Sequence, residues 1–388
     1  MFDWWVLLAI VYALYLVECV AWIDRAAWVC FTVPARGRWR CTRGSELPGN
    51  DRGGFLLANP LSSSPAVVVC GLWPISISPA GVSNVPAGEP ASAQAPAYVA
   101  FTDIRSVRAD LNGLSVNGQL LARASLPLSN VLAGLIDSCR TADLNQREIQ
   151  IREALAEAAD GRRVQRRWME CLQRTRRVQK SAALLFWYTL AVAPAVIAIV
   201  GPYPTWPWLL AGLAIGTAVT ATQYFQAHAA LYPAMRFERW VQATAMMLLP
   251  VGAMRAAVNL SRPVLEPFSP FAVLPSLCSA NGAARHLRAA LWDLQRLPAP
   301  DYVTEEWAGC VEWCRAATVA AANDAIRAAK IDLHAAPDKE DEGSVSYCPR
   351  CHVQFKSAGV MCHVCDTVEV VPFPQGNKTE PMAKFLTS

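Results

Sequence analysis

The apolar positions of this chain fall into two patterns: long unbroken runs, and short stretches at strand or helix period. The run from Trp4 to Ile23 carries one charge, Glu18. About twenty such residues suffice for a helix to cross a hydrocarbon core of ~30 Å. Two more runs, Ala182 to Val200 and Trp208 to Ala230, flank the uncharged turn Gly201-Pro202-Tyr203-Pro204-Thr205-Trp206-Pro207. This predicts an anchor helix over 1–23 and a transmembrane hairpin over 181–230. Ala245 to Met254 is too short to cross, contains Pro250 and is closed by Arg255, so it is expected to be interfacial or re-entrant.

Basic residues orient the runs. Arg25, Arg36, Arg38, Arg40 and Arg43 follow the first, while Arg162, Arg163, Arg166, Arg167, Arg174, Arg176, Arg177 and Lys180 precede the second. By the positive-inside rule both groups face the cytoplasm. The second group is also the candidate lipid-binding cluster, since basic side chains at a membrane surface hold anionic headgroups. Binding nucleic acid is the competing use, and topology with lipid contact is preferred. Within the third run Gly212 and Gly216 form a small-x-x-x-small pair suited to close helix approach.

Between the runs the pattern shortens. In residues 24–142, Tyr98 to Phe101, Ile104 to Val107, Leu114 to Val116 and Gln119 to Leu121 read as strands, punctuated by Asn112-Gly113 and Asn117-Gly118. Asn-Gly takes the positive φ angles of tight hairpins. Val131, Leu132, Leu135 and Ile136 then mark a helix face. Strands closed by a helix resemble a bacterial PH-like module, though a generic β-rich domain fits the same pattern. Residues 143–180 are expected as a basic juxtamembrane helix, whose apolar stripe docks on its own domain or pairs two copies into a homo-oligomer. Residues 231–334 read as interfacial and amphipathic helices, with Leu287, Ala290, Leu291 and Leu294 on one face. Residues 335–346, including Asp338 to Gly343, form a charged linker expected to let the C-terminal segment move independently, and 374–388 is expected as a disordered tail.

The chemistry is concentrated in 347–373. Cys348-Pro349-Arg350-Cys351 and Cys362-His363-Val364-Cys365 are separated by ten residues. Each x-x turn lets two thiolates face one centre, and two turns supply a tetrahedron of soft ligands. The segment resembles a zinc ribbon, which implies structural Zn2+ held by Cys348, Cys351, Cys362 and Cys365. Iron uses the same ligand set, and a disulfide pair is the alternative without metal. Four sulfurs leave no open coordination position, which argues against catalysis. His352 and His363 are read as bystanders. Cys310 and Cys314, one helical turn apart, are read as core packing rather than a second site.

Composition adds the setting. The chain is 53% hydrophobic, has a net charge of +4, and only six of its 35 basic residues are lysine, an arginine bias typical of GC-rich bacteria. The odd total of 13 cysteines shows no disulfide framework outside the quartet, which suits a reducing compartment. No phosphate loop, dinucleotide fingerprint or hydrolase elbow is present. The reading is an α-helical integral membrane protein with about three transmembrane helices, a cytoplasmic β-rich α+β domain and a small C-terminal zinc ribbon, placed in the bacterial inner membrane. The expected function is a non-enzymatic scaffold or adaptor that docks a protein partner at a bilayer with anionic headgroups. A membrane enzyme or small-molecule conduit using Glu18, Gln223 and His228 is the alternative. A nucleic-acid tether is a third.

Overall fold

Capping side chains divide the helical part of the chain. The computed structural model describes residues 13, 27–33, 38–44, 67–87, 97–248, 252–296, 304–333, 335–339, 341–365 and 368–374. The anchor run (apart from Ala13), residues 88–96 of the proline-rich loop, and residues 375–388 of the expected tail lie outside them. Ser125 caps α1 (Leu126–Thr141), accepting from the backbone N–H of Leu128, and Asp143 caps α2 (Leu144–Ala158) through Gln146. Asp160 then accepts from Arg162 and starts α3 (Gly161–Trp187). The one helix expected over 143–180 is thus two, because Asp160 offers the backbone a competing hydrogen bond and Gly161 resists helix entry.

α3 continues past Lys180 through a π-helical turn, Tyr188–Val192, into α4 (Ala193–Val200), giving a 40-residue rod. Pro194 has no N–H to donate and its ring crowds the preceding turn; the widened turn absorbs both defects. Gly201, at φ 91°, reverses the chain into α5 (Pro202–Leu231). α6 (Arg236–Leu248), α7 (Ala253–Asn259), α8 (Pro270–Leu277), α9 (Ala280–Arg296) and α10 (Glu305–Ala328) come next.

The rod is the one helix among the described residues that is long and apolar enough to cross a membrane. Of the three expected spans, the second meets that test and the first lies outside the described residues. α5 is 30 residues long, but Thr217, Thr220, Thr222, Gln223 and His228 dilute its apolar content. Its pairing with the rod depends on the two glycines. A Cβ on Gly212 would lie 2.6 Å from the Tyr188 hydroxyl, and one on Gly216 would lie 3.1 Å from Leu185. Tyr188 uses that close approach to donate to the carbonyl of Leu209 at 2.7 Å.

The N-terminal half of the rod is the axis of the main core. Val164, Trp168, Cys171, Thr175, Val178 and Ala182 recur every three or four residues and are all buried, facing α7 and α8. The stripe that invited a homo-oligomer is therefore covered by its own chain. β1 (Ala27–Val33) adds Val29 and Phe31 to this core, pairing antiparallel with β2 (Arg38–Gly44) and parallel with β3 (Val67–Cys70).

A second core gathers Ile75, Ile77, Phe101, Leu114, Leu132 and Ile151 between α1, α2, α10 and two small meanders. These are β4 (Ser76–Ile77), β5 (Gly81–Ser83) and β6 (Tyr98–Ala100), and β7 (Val107–Asp110), β8 (Gly113–Val116) and β9 (Gln119–Ala122). They stay separate sheets, so the described strands do not close into one PH-like barrel. The β8–β9 turn has Asn117 at φ 52° and Gly118 at φ 81°, the primed geometry that suits strand twist. Asn117 also accepts from the backbones of Arg105 and Ser106 and donates to Asp103, tying the hairpin to its approach.

Replacing Gly212 with valine should displace Tyr188, break its bond to Leu209 and destabilise the protein by about 1–3 kcal/mol. Gly134→Ala, inside α1 with nothing within 4 Å of the new Cβ, should instead stabilise it by roughly 0.5–1 kcal/mol. Thermal melts in detergent compare the two.

Candidate metal centre

The last 30 residues described build one small site. Ser346–Tyr347 (β10) pairs antiparallel with Gln354–Phe355 (β11) on one side and Val371–Pro372 (β12) on the other. Between β10 and β11 the first knuckle turns back on itself: His352 N–H donates to the Cys348 carbonyl, and Cys348 N–H to that of Val353. His352 takes φ 61° to close the turn. The second knuckle is the end of another hairpin, where Cys365 N–H donates to Cys362 and Cys362 N–H to Val368.

These turns bring all four sulfurs within 4.8 Å of one another. Cys348 and Cys365 Sγ are 3.9 Å apart, and Cys351 and Cys362 Sγ 3.6 Å. A tetrahedron with metal–sulfur bonds of about 2.3 Å has edges of about 3.8 Å. The donor set therefore fits a tetrahedral metal ion, while a disulfide needs sulfurs at about 2.05 Å. Cys348, Cys362 and Cys365 are buried and Cys351 partly so, which closes the sphere to solvent.

Burial pushes the Cys365 thiol up to about 11, against the opposing pull of Arg350. The Cys351 thiol is raised by its hydrogen bond to Cys348 and by burial. Thiols held in this state ionise near neutral pH only when a cation replaces their protons.

The site is not a free appendage. Arg350, between the first two cysteines, forms a bidentate pair with Asp293 of α9, Nε to Oδ1 at 2.7 Å and Nη2 to Oδ2 at 2.6 Å, both side chains being buried. Its remaining nitrogen, Nη1, donates to Cys365 Sγ at 3.1 Å. Trp292 of α9 packs on the cysteine cluster. Next to it Arg288 Nη1 meets His352 Nδ1 at 3.0 Å. Burial and the two nearby arginines, Arg288 and Arg285, lower the His352 pKa to about 4, so the ring is neutral and Nδ1 accepts. The segment expected to be an independent linker also folds back: Asp338 accepts from Gln354, Lys339 lies over Phe373, and Asp341 pairs with Lys356.

The basic cluster divides. Arg163 pairs with Glu157 at 2.7 Å, and Glu170 holds both Arg167 and Arg174 at 2.8 Å. Arg167 and Arg174 also donate to the carbonyls of Leu231 and Ala230, the negative end of the α5 dipole. Arg162, Arg166, Arg176, Arg177 and Lys180 remain on the exposed face. Cys310 and Cys314 are buried, with the Cys310 sulfur against the carbonyls of Ser76 and Gly81. His228 is wedged between Tyr224 and Tyr232.

Sequence reasoning missed Asp293 and the role of Arg350. The signal was a carboxylate directly beside Leu294 on the apolar face of α9, and a guanidinium inside a cysteine knuckle.

The protein should bind one metal ion per chain with displacement of protons, at least those of Cys351 and Cys365. Because protons compete for the thiols, apparent affinity should rise with pH by at least about a hundredfold per unit, and fall in acid. Chelator competition between pH 6 and 8 measures the slope. Comparison with protein-family models, curated proteins and solved structures finds no match to this chain.

Proposed function

We propose that this chain is a non-enzymatic membrane scaffold whose α-helical hairpin sits in the bilayer and whose zinc ribbon presents a surface to a protein partner. The carrying observation is the apolar surface of the hairpin. Leu184, Ile199 and Val200 on the rod and Trp208, Ile215 and Val219 on α5 all point away from protein, Ile199 being 83% and Trp208 79% exposed. Large apolar side chains exposed in this number on one hairpin are unfavourable in water and favourable in lipid.

Length and polarity support the same placement. Residues 181–200 span about 30 Å as helix. Arg176, Arg177 and Lys180 stand at the base and Trp206 and Trp208 near the tip, the residue types suited to the two interfaces. The hydroxyls of Thr217, Thr220 and Thr222 each donate to the carbonyl four residues earlier, so α5 can accompany the rod into lipid despite its lower hydropathy. The run 4–23 would add a third span. α6 is inverted for a soluble helix: Arg239 and Met246 are buried while Phe237, Trp240, Val241 and Met247 are exposed. It suits an in-plane position at the base of the hairpin. The basic base then faces the cytoplasm, with the ribbon and strands on that side.

Zinc is the ion proposed, because closed sites of four thiolates are its characteristic structural environment. The non-enzymatic reading rests on that closure. Met361 and Val364, exposed apolar residues at the second knuckle, are the proposed partner contact. The conduit alternative gains no support from His228, which is packed between two tyrosines. The arginines already paired within the chain leave the nucleic-acid alternative a smaller basic surface.

In cells, the chain should remain in membranes washed with alkaline carbonate, whereas Ile199→Asp with Ile215→Asp should be released or degraded; release of the unaltered chain would remove the bilayer reading. A photo-crosslinking residue at position 364 should yield a discrete protein adduct that is lost on Cys348→Ser. No adduct in the otherwise unaltered chain would count against partner docking.

A further inference from the structure

Arg350 touches two things that have no other reason to be connected. One end of its guanidinium meets a cysteine of the opposite knuckle, and the other two nitrogens grip a carboxylate 57 residues away on α9. With a divalent ion bound, four thiolates leave the centre with a net negative charge in buried surroundings. Such a centre needs compensation from nearby donors, and groups that hydrogen-bond metal ligands tune metal affinity. Within the ribbon, Arg350 is the cation that reaches a ligand sulfur among the described residues. Free, a long arginine side chain would sample many rotamers. Asp293 holds the fork with two short bonds, so in the docked ribbon Nη1 is aimed at Cys365.

We propose that Asp293 and Arg350 complete the metal centre from outside the ribbon, so that metal binding and docking of the ribbon on α9 are one coupled event. The proposal rests on the metal reading of the four cysteines and adds to it two positioning residues and a consequence. Nη1 lies 3.1 Å from Cys365 Sγ, beside the anionic centre that a bound ion would create, so the contact strengthens when the metal is held. By linkage, whatever factor Asp293 contributes to metal affinity, the metal contributes equally to docking. Loss of the ion would then loosen the ribbon and also uncover Trp292 and Asp293 on α9. His352 is expected to move with it, because its neutral ring meets Arg288 only while the first knuckle is folded.

The experiment measures Zn2+ affinity of the full chain in detergent, by competition with a chromophoric chelator at fixed pH. Asp293→Asn and Arg350→Met should each weaken binding by about 10- to 100-fold. The double variant should be no weaker than the worse single one, because each removes the same contact. Arg350→Lys, which keeps the charge and loses the fork, should behave like Arg350→Met. Affinities within about threefold of the unaltered chain would overturn the proposal and reduce the pair to a surface clamp. Should the variants fail to fold, the unaltered chain still answers: removing the metal should speed amide exchange around Trp292 and Asp293 on α9 at least tenfold, as well as in the ribbon. Exchange that accelerates in the ribbon alone would overturn the coupling while leaving the metal site standing. If the unaltered chain binds no Zn2+, the metal reading fails and the coupling fails with it, a result distinct from the other two.

Discussion

One helix carries two kinds of surface, and that division sets the placement of nearly everything else. Up to Phe186, one face of the 40-residue rod is buried by protein; beyond it Val192, Ile199 and Val200 are left uncovered. Each fully buried side chain such as Trp168 or Val178 contributes about 1.5–3 kcal/mol, enough for several together to fix the rod against α7 and α8. α5 must then return beside it, and the glycines at 212 and 216 let it do so closely. Where α5 ends, Arg167 and Arg174 reach across from the rod to its last carbonyls. Part of the basic cluster thus holds the hairpin shut, while the remainder faces outward at the level where headgroups would lie.

A different constraint governs the C-terminus. A ribbon of under 30 residues has three two-residue strands and a core made largely of its own cysteines. That is too little apolar burial to hold a fold, so the sulfurs must be bridged and their charge balanced. A metal ion on the four sulfurs would meet the first need, and Arg350, held by Asp293 of α9, stands where it can meet the second. The buried Asp293–Arg350 pair is costly in isolation, since two charges lose their water. It is sustained because the third nitrogen of Arg350 also has a partner in Cys365, leaving the guanidinium well satisfied.

What could be read from the sequence was what sequence spacing determines. The cysteine quartet is visible because each pair is local and the turn between its members is short. The second and third apolar runs are visible for the same reason, as is Asn117-Gly118, whose φ angles depend on two residues. The break at Asp160-Gly161 was legible in principle, since a capping aspartate before a glycine is a start signal inside an otherwise helical pattern. What escaped was long-range. Nothing in the spacing of Asp338 to Gly343 says that Lys339 will lie over Phe373, and a charged stretch reads as a linker until its partners are placed. The strands of 67–122 looked like one domain because their alternation is alike; they form separate sheets because α10 supplies Ala317 to their common core and Cys310 packs on the carbonyls of β4 and β5.

The two constraints meet through packing. The ribbon rests on α9, α9 packs on α8, and α8 packs on the buried half of the rod whose other half is the hairpin. Contact alone transmits nothing: a chain of packed helices becomes a route between two sites only when some element along it has two arrangements that both sites bias. Under the proposal that element would be the Asp293–Arg350 clamp on α9, whose third hydrogen bond reaches a sulfur of the candidate metal site. A chain built this way would hold its C-terminal segment on α9 more firmly with metal bound, and the face of α9 beneath it would open more often once the ion is lost.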